Sequence, residues 1–148
     1  MNIKFMDRAI SLAKTAAARG EVPVGAVVVC DGEIIGEGHN RCEELSSPIA
    51  HAEILAIEAA AKTRQDKRLS GCSLYVTLEP CPMCAGAILN ARIDEVVFGA
   101  FDARAGSCAS ESVVNLFGCG YENPPTVFAG IREEECKALL SEFFKGLR

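Results

Sequence analysis

The stretch CSLYVTLEPCPMCAGAILNARIDEVVFGA, residues 72–100, decides the fold because it holds three successive elements. CSLYVT, residues 72–77, has the short apolar run and the β-branched and aromatic residues of a buried strand. Residues 81–91 predict a helix, and DEVVFGA, residues 94–100, predicts a second strand. A strand, a helix and a strand in this order form a right-handed parallel crossover. The stretch therefore indicates an α/β protein.

The other elements surround this unit in a single domain, residues 1–148. Apolar residues recur every three or four positions in residues 2–18, which predicts an amphipathic helix. A second helix is predicted from about residue 51 to residue 63, just after Pro48. VPVGAVVVC and EIIGEG, joined by the Asp31–Gly32 turn, predict a β-hairpin. PTVFAG, residues 125–130, predicts a fifth strand ahead of a C-terminal helix. We expect one α/β layer domain with the hairpin on one side of a mixed sheet.

The composition is typical of a globular protein. Apolar residues make up 49% of the 148 residues, and this length suits one domain with one substantial core. Fifteen basic and twenty acidic residues give a net charge of −5, which argues against broad, non-specific nucleic-acid binding. No apolar run approaches the roughly 20 residues that span a bilayer, so we expect a cytoplasmic protein with no membrane partner. With no export signal, the eight cysteines are expected to be reduced.

Cys81 and Cys84 carry the first chemical signal. At positions i and i+3 on the opening turn of a helix, their side chains lie on one face and are able to share a metal ion. The positive end of the helix favours thiolate over thiol. Pro80 and Pro82 suit a helix start, because the N–H that each lacks would have no partner inside the helix. A CxxC pair alone is only moderately specific, since redox dithiols share it.

His51 and Glu53 supply the second signal, again at the start of a predicted helix. If His51 joins Cys81 and Cys84 on a zinc ion, three protein ligands leave the fourth position open, which is the pattern of a catalytic site. Zinc lowers the pKa of a bound water toward about 7, and Glu53 is placed to carry its proton. The alternative is a non-catalytic, zinc-stabilised module, which has no use for Glu53 and would prefer a fourth protein ligand.

HxE followed by PCxxC, present here as HAE and PCPMC, is the known signature of zinc nucleobase deaminases. The chain also resembles the bacterial tRNA adenosine deaminases in EVPVGAVVV, GHNR, TLEPCPMCAGAI, RIDEVVFGAFD and LLSEFFKGLR, so the likeness covers nearly all of it. This resemblance implies the cytidine deaminase-like fold, a three-layer α/β/α arrangement with a five-stranded mixed sheet. It also implies a homodimer that converts the first anticodon (wobble) adenosine in the anticodon loop of a tRNA to inosine and releases ammonia.

The resemblance further implies roles for particular residues. Glu53 would be the catalytic proton shuttle, serving the ring nitrogen and the leaving amine while hydroxide attacks C6. Asn40, in GHNR, matches a position that contacts the target base, and Asp102, in GAFD, matches one near the neighbouring nucleotide. The implied ligands of one Zn²⁺ per subunit are His51, Cys81 and Cys84.

The sequence departs from those relatives at several places. Ile49 stands where threonine is common, and Asn123-Pro124 replaces a common Asn-His pair on the expected path of the RNA. The basic tail is short, with Lys145 and Arg148 at its end. A deaminase of a free base or nucleoside, such as guanine or cytosine, therefore stays open as an alternative with the same zinc site. The ending FFKGLR favours the RNA-binding version, because free-base enzymes tend to close their pocket with C-terminal residues.

Overall fold

The computed structural model describes residues 1–109 and 111–147, so Arg148 of the basic tail lies outside the described residues. The helices within this part are α1 (Lys4–Ala18), α2 (Ala52–Arg64), α3 (Pro82–Ala91) and α4 (Glu133–Gly146), with a short 3-10 helix at Leu116–Gly118. The strands are β1 (Gly25–Cys30), β2 (Glu33–His39), β3 (Cys72–Leu78), β4 (Glu95–Ala100) and β5 (Thr126–Phe128). None of the described helices is long and apolar enough to cross a lipid bilayer.

The five strands form one mixed sheet in the order β2-β1-β3-β4-β5. β1 is antiparallel to β2 and to β3, whereas β3, β4 and β5 run parallel. The predicted hairpin and the parallel crossover through α3 are therefore confirmed. The predicted fifth strand, residues 125–130, was too long, since β5 covers only three residues. Beyond it, Gly130 adopts a left-handed conformation (φ 76°) that turns the chain toward α4.

Helices cover both faces of the sheet, which confirms the three-layer α/β/α fold. Successive strand residues point to opposite faces, so Val27 packs with α1 and α4 while Val28 packs with α2 and α3. On β3, Tyr75 lies in the core beside α1 and α4, and Leu74 lies in the core beside α2 and α3. The alternating burial of these apolar side chains produces two cores, one on each side of a fully covered central sheet.

Small residues bring α2 very close to the hairpin. A Cβ atom added to Gly38 of β2 would overlap the carbonyl oxygen of Ala52, and one added to Gly36 would overlap that of Ala56. Ala52 and Ala56 are four residues apart and therefore lie on one face of α2. The absence of side chains on the two glycines lets the helix backbone rest directly on the strand. This contact fixes the first turn of α2 against the end of β2.

One edge of the sheet collects the ends of several strands. Gly25, which begins β1, pairs with His39, which ends β2. On the same edge β3 ends at Leu78, two residues before Pro80. Because α3 begins just beyond this point, both sequence motifs reach the same edge. The fold thus joins two segments that lie about thirty residues apart in the chain.

Candidate active site

His51 and Cys81 occupy equivalent positions, each immediately before a helix. His51 is extended (φ −75°, ψ 151°) ahead of α2, and Cys81 is extended (φ −75°, ψ 172°) ahead of α3. A side chain at this position usually accepts a hydrogen bond from the first turn, but neither of these does. The N–H of Ala52 instead donates to Oδ1 of Asn40 at 2.9 Å. The imidazole and the thiol are therefore left to face each other.

The three predicted ligands come together at this point. Nδ1 of His51 lies 3.7 Å from Sγ of Cys81 and 3.6 Å from Sγ of Cys84, and the three ligand atoms all lie within 4.8 Å of one another. A tetrahedral zinc ion with bonds of about 2.05 Å to nitrogen and about 2.3 Å to sulfur would hold such atoms about 3.5 Å apart. The arrangement fits zinc in both spacing and donor type, since zinc favours imidazole and thiolate.

The thiol groups of Cys81 and Cys84 shift each other's pKa in opposite directions. A hydrogen bond from the Cys84 thiol lowers the pKa of Cys81 to about 4, although burial opposes this shift. The same hydrogen bond, together with burial, raises the pKa of Cys84. The hydrogen bond to Cys81 also raises the pKa of His51. A cation bound here would displace the thiol protons, because metal binding requires deprotonated cysteine.

Glu53 lies in the first turn of α2 with only 4% of its surface exposed. Burial raises the pKa of its carboxyl group to about 7, partly offset by its own backbone N–H and by the charge on His51. Glu53 lines the same pocket as His51 and Cys81, which places its carboxyl group beside the ligand cluster. Near neutral pH such a group both accepts and donates protons readily, which is what general acid–base chemistry requires.

A pocket of about 490 Å³ opens onto this cluster, a volume within the usual range for small-molecule sites. Five of the six predicted site residues line it, and the exception, Cys84, is fully buried behind it. Phe144 and Leu147 of the C-terminal segment stand at its rim with 47% and 68% of their surface exposed. The lining residues among those predicted are Asn40, His51, Glu53, Cys81 and Asp102.

Sequence reasoning missed two buried carboxylates that also line the pocket, Glu21 and Glu79. Glu21 accepts the backbone N–H groups of Glu43 and Glu44 at 3.0 and 2.8 Å, which ties the loop after β2 to the start of the hairpin. Glu79 receives donors from the segment after β4. The signal in the sequence was an acidic residue directly beside an apolar run, in EVPVGAVVV and TLEPCPMC.

The two departures noted in the sequence lie in different places. Ile49 is 56% exposed beside the site, where its carbonyl oxygen accepts the N–H of His51 at 2.8 Å. Asn123 and Pro124 instead precede β5 and lie near Asp94, at the opposite edge of the sheet. Within this chain the Asn123-Pro124 pair therefore does not line the pocket.

Comparison with known proteins gives a family match. Residues 1–100 match the model of the cytidine and deoxycytidylate deaminase zinc-binding region. The tRNA-specific adenosine deaminase of Bacillus subtilis is 49% identical over 144 residues, which cover 97% of this chain and 89% of that protein. The matched regions contain both halves of the ligand cluster.

Two solved structures resemble the chain closely. A tRNA:A34 deaminase, studied for A-to-I editing at the wobble position of transfer RNA, superposes with a TM-score of 0.87 at 44% identity, covering 94% of this chain and all of that one. The guanine deaminase of Nitrosomonas europaea superposes with a TM-score of 0.84 at 26% identity, covering 97% of this chain and 84% of that one. One fold thus carries both RNA and free-base substrates among these relatives.

Proposed function

The chain belongs to the cytidine and deoxycytidylate deaminase family and, within it, to the tRNA-specific adenosine deaminases, and we propose from this that it hydrolyses the wobble adenosine of a tRNA to inosine and ammonia. One observation carries the proposal. The buried carboxyl group of Glu53 lies beside a His51, Cys81 and Cys84 cluster at the floor of an open pocket. The near full-length identity to a tRNA-specific adenosine deaminase then selects the substrate class.

We propose His51, Cys81 and Cys84 as the ligands of one zinc ion per subunit. When bound, zinc supplies water that is acidic enough to be deprotonated near neutral pH. Glu53 would accept this proton and pass it to the ring nitrogen. It would then take the proton of the hydroxyl group added at C6 and pass it to the departing amine, so that water and adenosine become inosine and ammonia. Burial suits Glu53 to both transfers because it holds the pKa of the carboxyl group near neutrality.

We propose that Asn40 recognises the target base. Its Oδ1 atom is engaged by the N–H of Ala52, so its NH₂ group remains to donate to acceptor atoms of a base in the pocket. Asp102 lines the same pocket, but it follows β4 whereas Asn40 follows β2. One of its oxygens accepts the N–H groups of Arg104 and Ala105 at 3.0 and 3.1 Å, and the second is available to the nucleotide next to the target.

The pocket geometry suits a base that is attached to a chain. Bases of an anticodon loop are partly unstacked. Flipping one of them into a pocket therefore costs less free energy than flipping a base out of a duplex. The exposed apolar rim of Phe144 and Leu147 offers contact area to the neighbouring nucleotides. A closed cavity would instead suit a free base.

We also propose a cytoplasmic homodimer. We propose the cytoplasm because the proposed tRNA substrate is found there. The dimer is supported by large apolar side chains that are exposed within one short segment, namely Val113, Val114 and Tyr121, at 67%, 45% and 56%. Light scattering after size-exclusion chromatography should give the mass of two chains, and a monomer would refute this part of the proposal.

Ammonia release tests the proposed function. Zinc-loaded protein is incubated with an anticodon stem-loop that carries adenosine in its first anticodon position, and separately with guanine, cytosine, adenosine and cytidine. Glu53→Ala serves as the blank. Turnover of the stem-loop alone is expected. Turnover of a free base alone would leave the zinc chemistry standing and replace the substrate.

A further inference from the structure

We propose that Glu79 is a positioning residue for the nucleotide next to the target base, and that it acts through Asp102. It holds the β4 loop, defined as residues 101–109, in the conformation that presents Asp102 to the pocket. This inference rests on the proposed function, since it concerns how the same pocket binds RNA. Glu79 takes part in no chemical step.

Both carboxylate oxygens of Glu79 are occupied by donors that follow β4. The backbone N–H of Asp102 donates to Oε1 at 3.1 Å, and that of Cys108 donates to Oε2 at 3.0 Å. The hydroxyl of Ser112 also donates to Oε2. Only 2% of the Glu79 surface is exposed. One buried side chain therefore binds both ends of the β4 loop and also Ser112, three residues beyond it.

The loop is shaped to receive this carboxyl group. A Cβ atom added to Gly106 would overlap the Glu79 carboxyl group, so only glycine allows the backbone to approach so closely. Next to it, the carbonyl oxygen of Pro80 accepts the N–H and the hydroxyl of Ser107 at 3.1 and 2.8 Å. The β4 loop is thereby fastened to the two residues that directly precede Cys81.

A carboxylate suits this role because it presents only acceptors. Replacing one oxygen with the NH₂ group of glutamine would set a donor against a backbone N–H. Within residues 1–109 and 111–147, no basic side chain forms an ion pair with Glu79. A buried carboxylate is expensive without such a partner, and here loop donors alone compensate for its burial. The hydrogen bonds of the Glu79 carboxylate are therefore directed to the loop.

The loop in turn fixes Asp102. One oxygen of its side chain accepts the backbone N–H groups of Arg104 and Ala105, which belong to the same loop. Its own N–H is bound to Glu79. The direction of the Asp102 carboxylate thus depends on the loop conformation, and that conformation depends on Glu79. Glu79 itself has no free oxygen for the substrate.

The test measures kcat and KM with two anticodon stem-loops that differ only in the nucleotide next to the target adenosine, one natural and one abasic. For Glu79→Gln, KM for the natural loop should rise about tenfold, as expected for the loss of a hydrogen bond to a charged group. Its kcat should stay within about twofold and its zinc content should not change. The ratio of kcat/KM for the natural loop to kcat/KM for the abasic loop should also fall in Glu79→Gln.

A double-mutant cycle separates positioning from a general loss of structure. In an Asp102→Ala background, Glu79→Gln should raise KM by less than about twofold. Glu21→Gln is the matched control, because it alters a buried carboxylate that binds a different loop, and its effect should add fully to that of Asp102→Ala. The proposal would be overturned if the KM effects of Glu79→Gln and Asp102→Ala were fully additive. It would also be overturned if Glu79→Gln lowered kcat by as large a factor as it raised KM.

Two further measurements cover the remaining outcomes. Ser112→Ala removes one of the three donors to Glu79 and serves as the test if Glu79→Gln does not fold. It should raise KM for the natural loop by roughly threefold. An unchanged KM would count against the proposal. Hydrogen exchange at the Asp102 and Cys108 amides should be faster in Glu79→Gln. If the wild-type protein does not process stem-loops, the proposed function fails alone, and unchanged exchange rates would separately refute the positioning role.

Discussion

Oδ1 of Asn40 accepts the backbone N–H of Ala52 at 2.9 Å across twelve residues of chain. Asn40 therefore provides the cap that His51, the residue before α2, does not provide with its own side chain. The bond connects the pocket wall to the helix that carries Glu53. One side chain thus has two functions, which substitutions of matched shape should separate.

Asn40→Asp keeps the capping acceptor but removes the NH₂ group that we assign to the target base. We expect its free energy of unfolding to stay within about 0.5 kcal/mol of the wild type, while kcat/KM falls at least about tenfold. Asn40→Ala should lose activity and also about 1 kcal/mol of stability, because the cap is gone. Urea unfolding and stem-loop kinetics measure both effects. Full activity in Asn40→Asp would remove Asn40 from base recognition.

Glu53→Gln should lower kcat at least about a hundredfold, because an amide does not carry protons between water and the base. Its zinc content should equal that of the wild type, since Glu53 is not among the proposed ligands. Glu58→Gln is the matched control, because Glu58 lies on the same helix but is exposed. Single-turnover kinetics and elemental analysis check this. Substantial activity in Glu53→Gln would exclude its role as proton shuttle.

Cys81→Ser should lose most of the bound zinc and therefore the activity, because a hydroxyl group is a far weaker zinc ligand than a thiolate. Cys119→Ser is the control, since the Cys119 thiol is exposed and lies outside the cluster. Mass spectrometry of metals in both purified variants measures the ratio of zinc to protein. One zinc ion per chain in Cys81→Ser would contradict the proposed ligand set.

Gly38→Ala should destabilise the protein by about 2 kcal/mol or more, because its Cβ would overlap the carbonyl oxygen of Ala52 and push α2 away from β2. Activity should fall as well, since the same turn carries His51 and Glu53. Gly86→Ala, in α3, is the matched control. A Cβ there meets no atom within 4 Å, so the higher helix propensity of alanine should stabilise by about 0.5 to 1 kcal/mol. Thermal unfolding of both variants gives the comparison, and equal melting temperatures would disprove the packing argument.

The parts of the fold with strong local patterns were predictable from sequence. α1 and α4 have apolar residues every three or four positions, and β1, β3 and β4 are short apolar runs. The spacing of Cys81 and Cys84 is itself a local signal. The short β5 was less predictable, because PTVFAG contains enough β-forming residues for a longer strand than the turn at Gly130 permits. Apolar character alone does not locate such a turn.

The contacts that organise the pocket were not predictable. Glu21 and Glu79 bind backbone N–H groups of loops, and every residue except proline offers such a group. No residue type therefore marks the partner in the sequence. The capping of α2 by Asn40 has the same origin, since its partner is the backbone of Ala52. The meeting of the two ligand motifs was a hypothesis from their residue types, supported by the family resemblance, because no local pattern indicates that two distant segments meet.

The division of the ligand set between two helix starts affects more than the chemistry. His51 and Cys81 are thirty residues apart in the chain, so an ion held by both closes a large loop. A covalent cross-link over such a loop stabilises a fold by about 3 to 4 kcal/mol, chiefly through the lower entropy of the unfolded chain. An ion in the proposed site would act on the unfolded chain in the same way. It would act as a cross-link between the starts of α2 and α3 and stabilise the fold even when no RNA is bound.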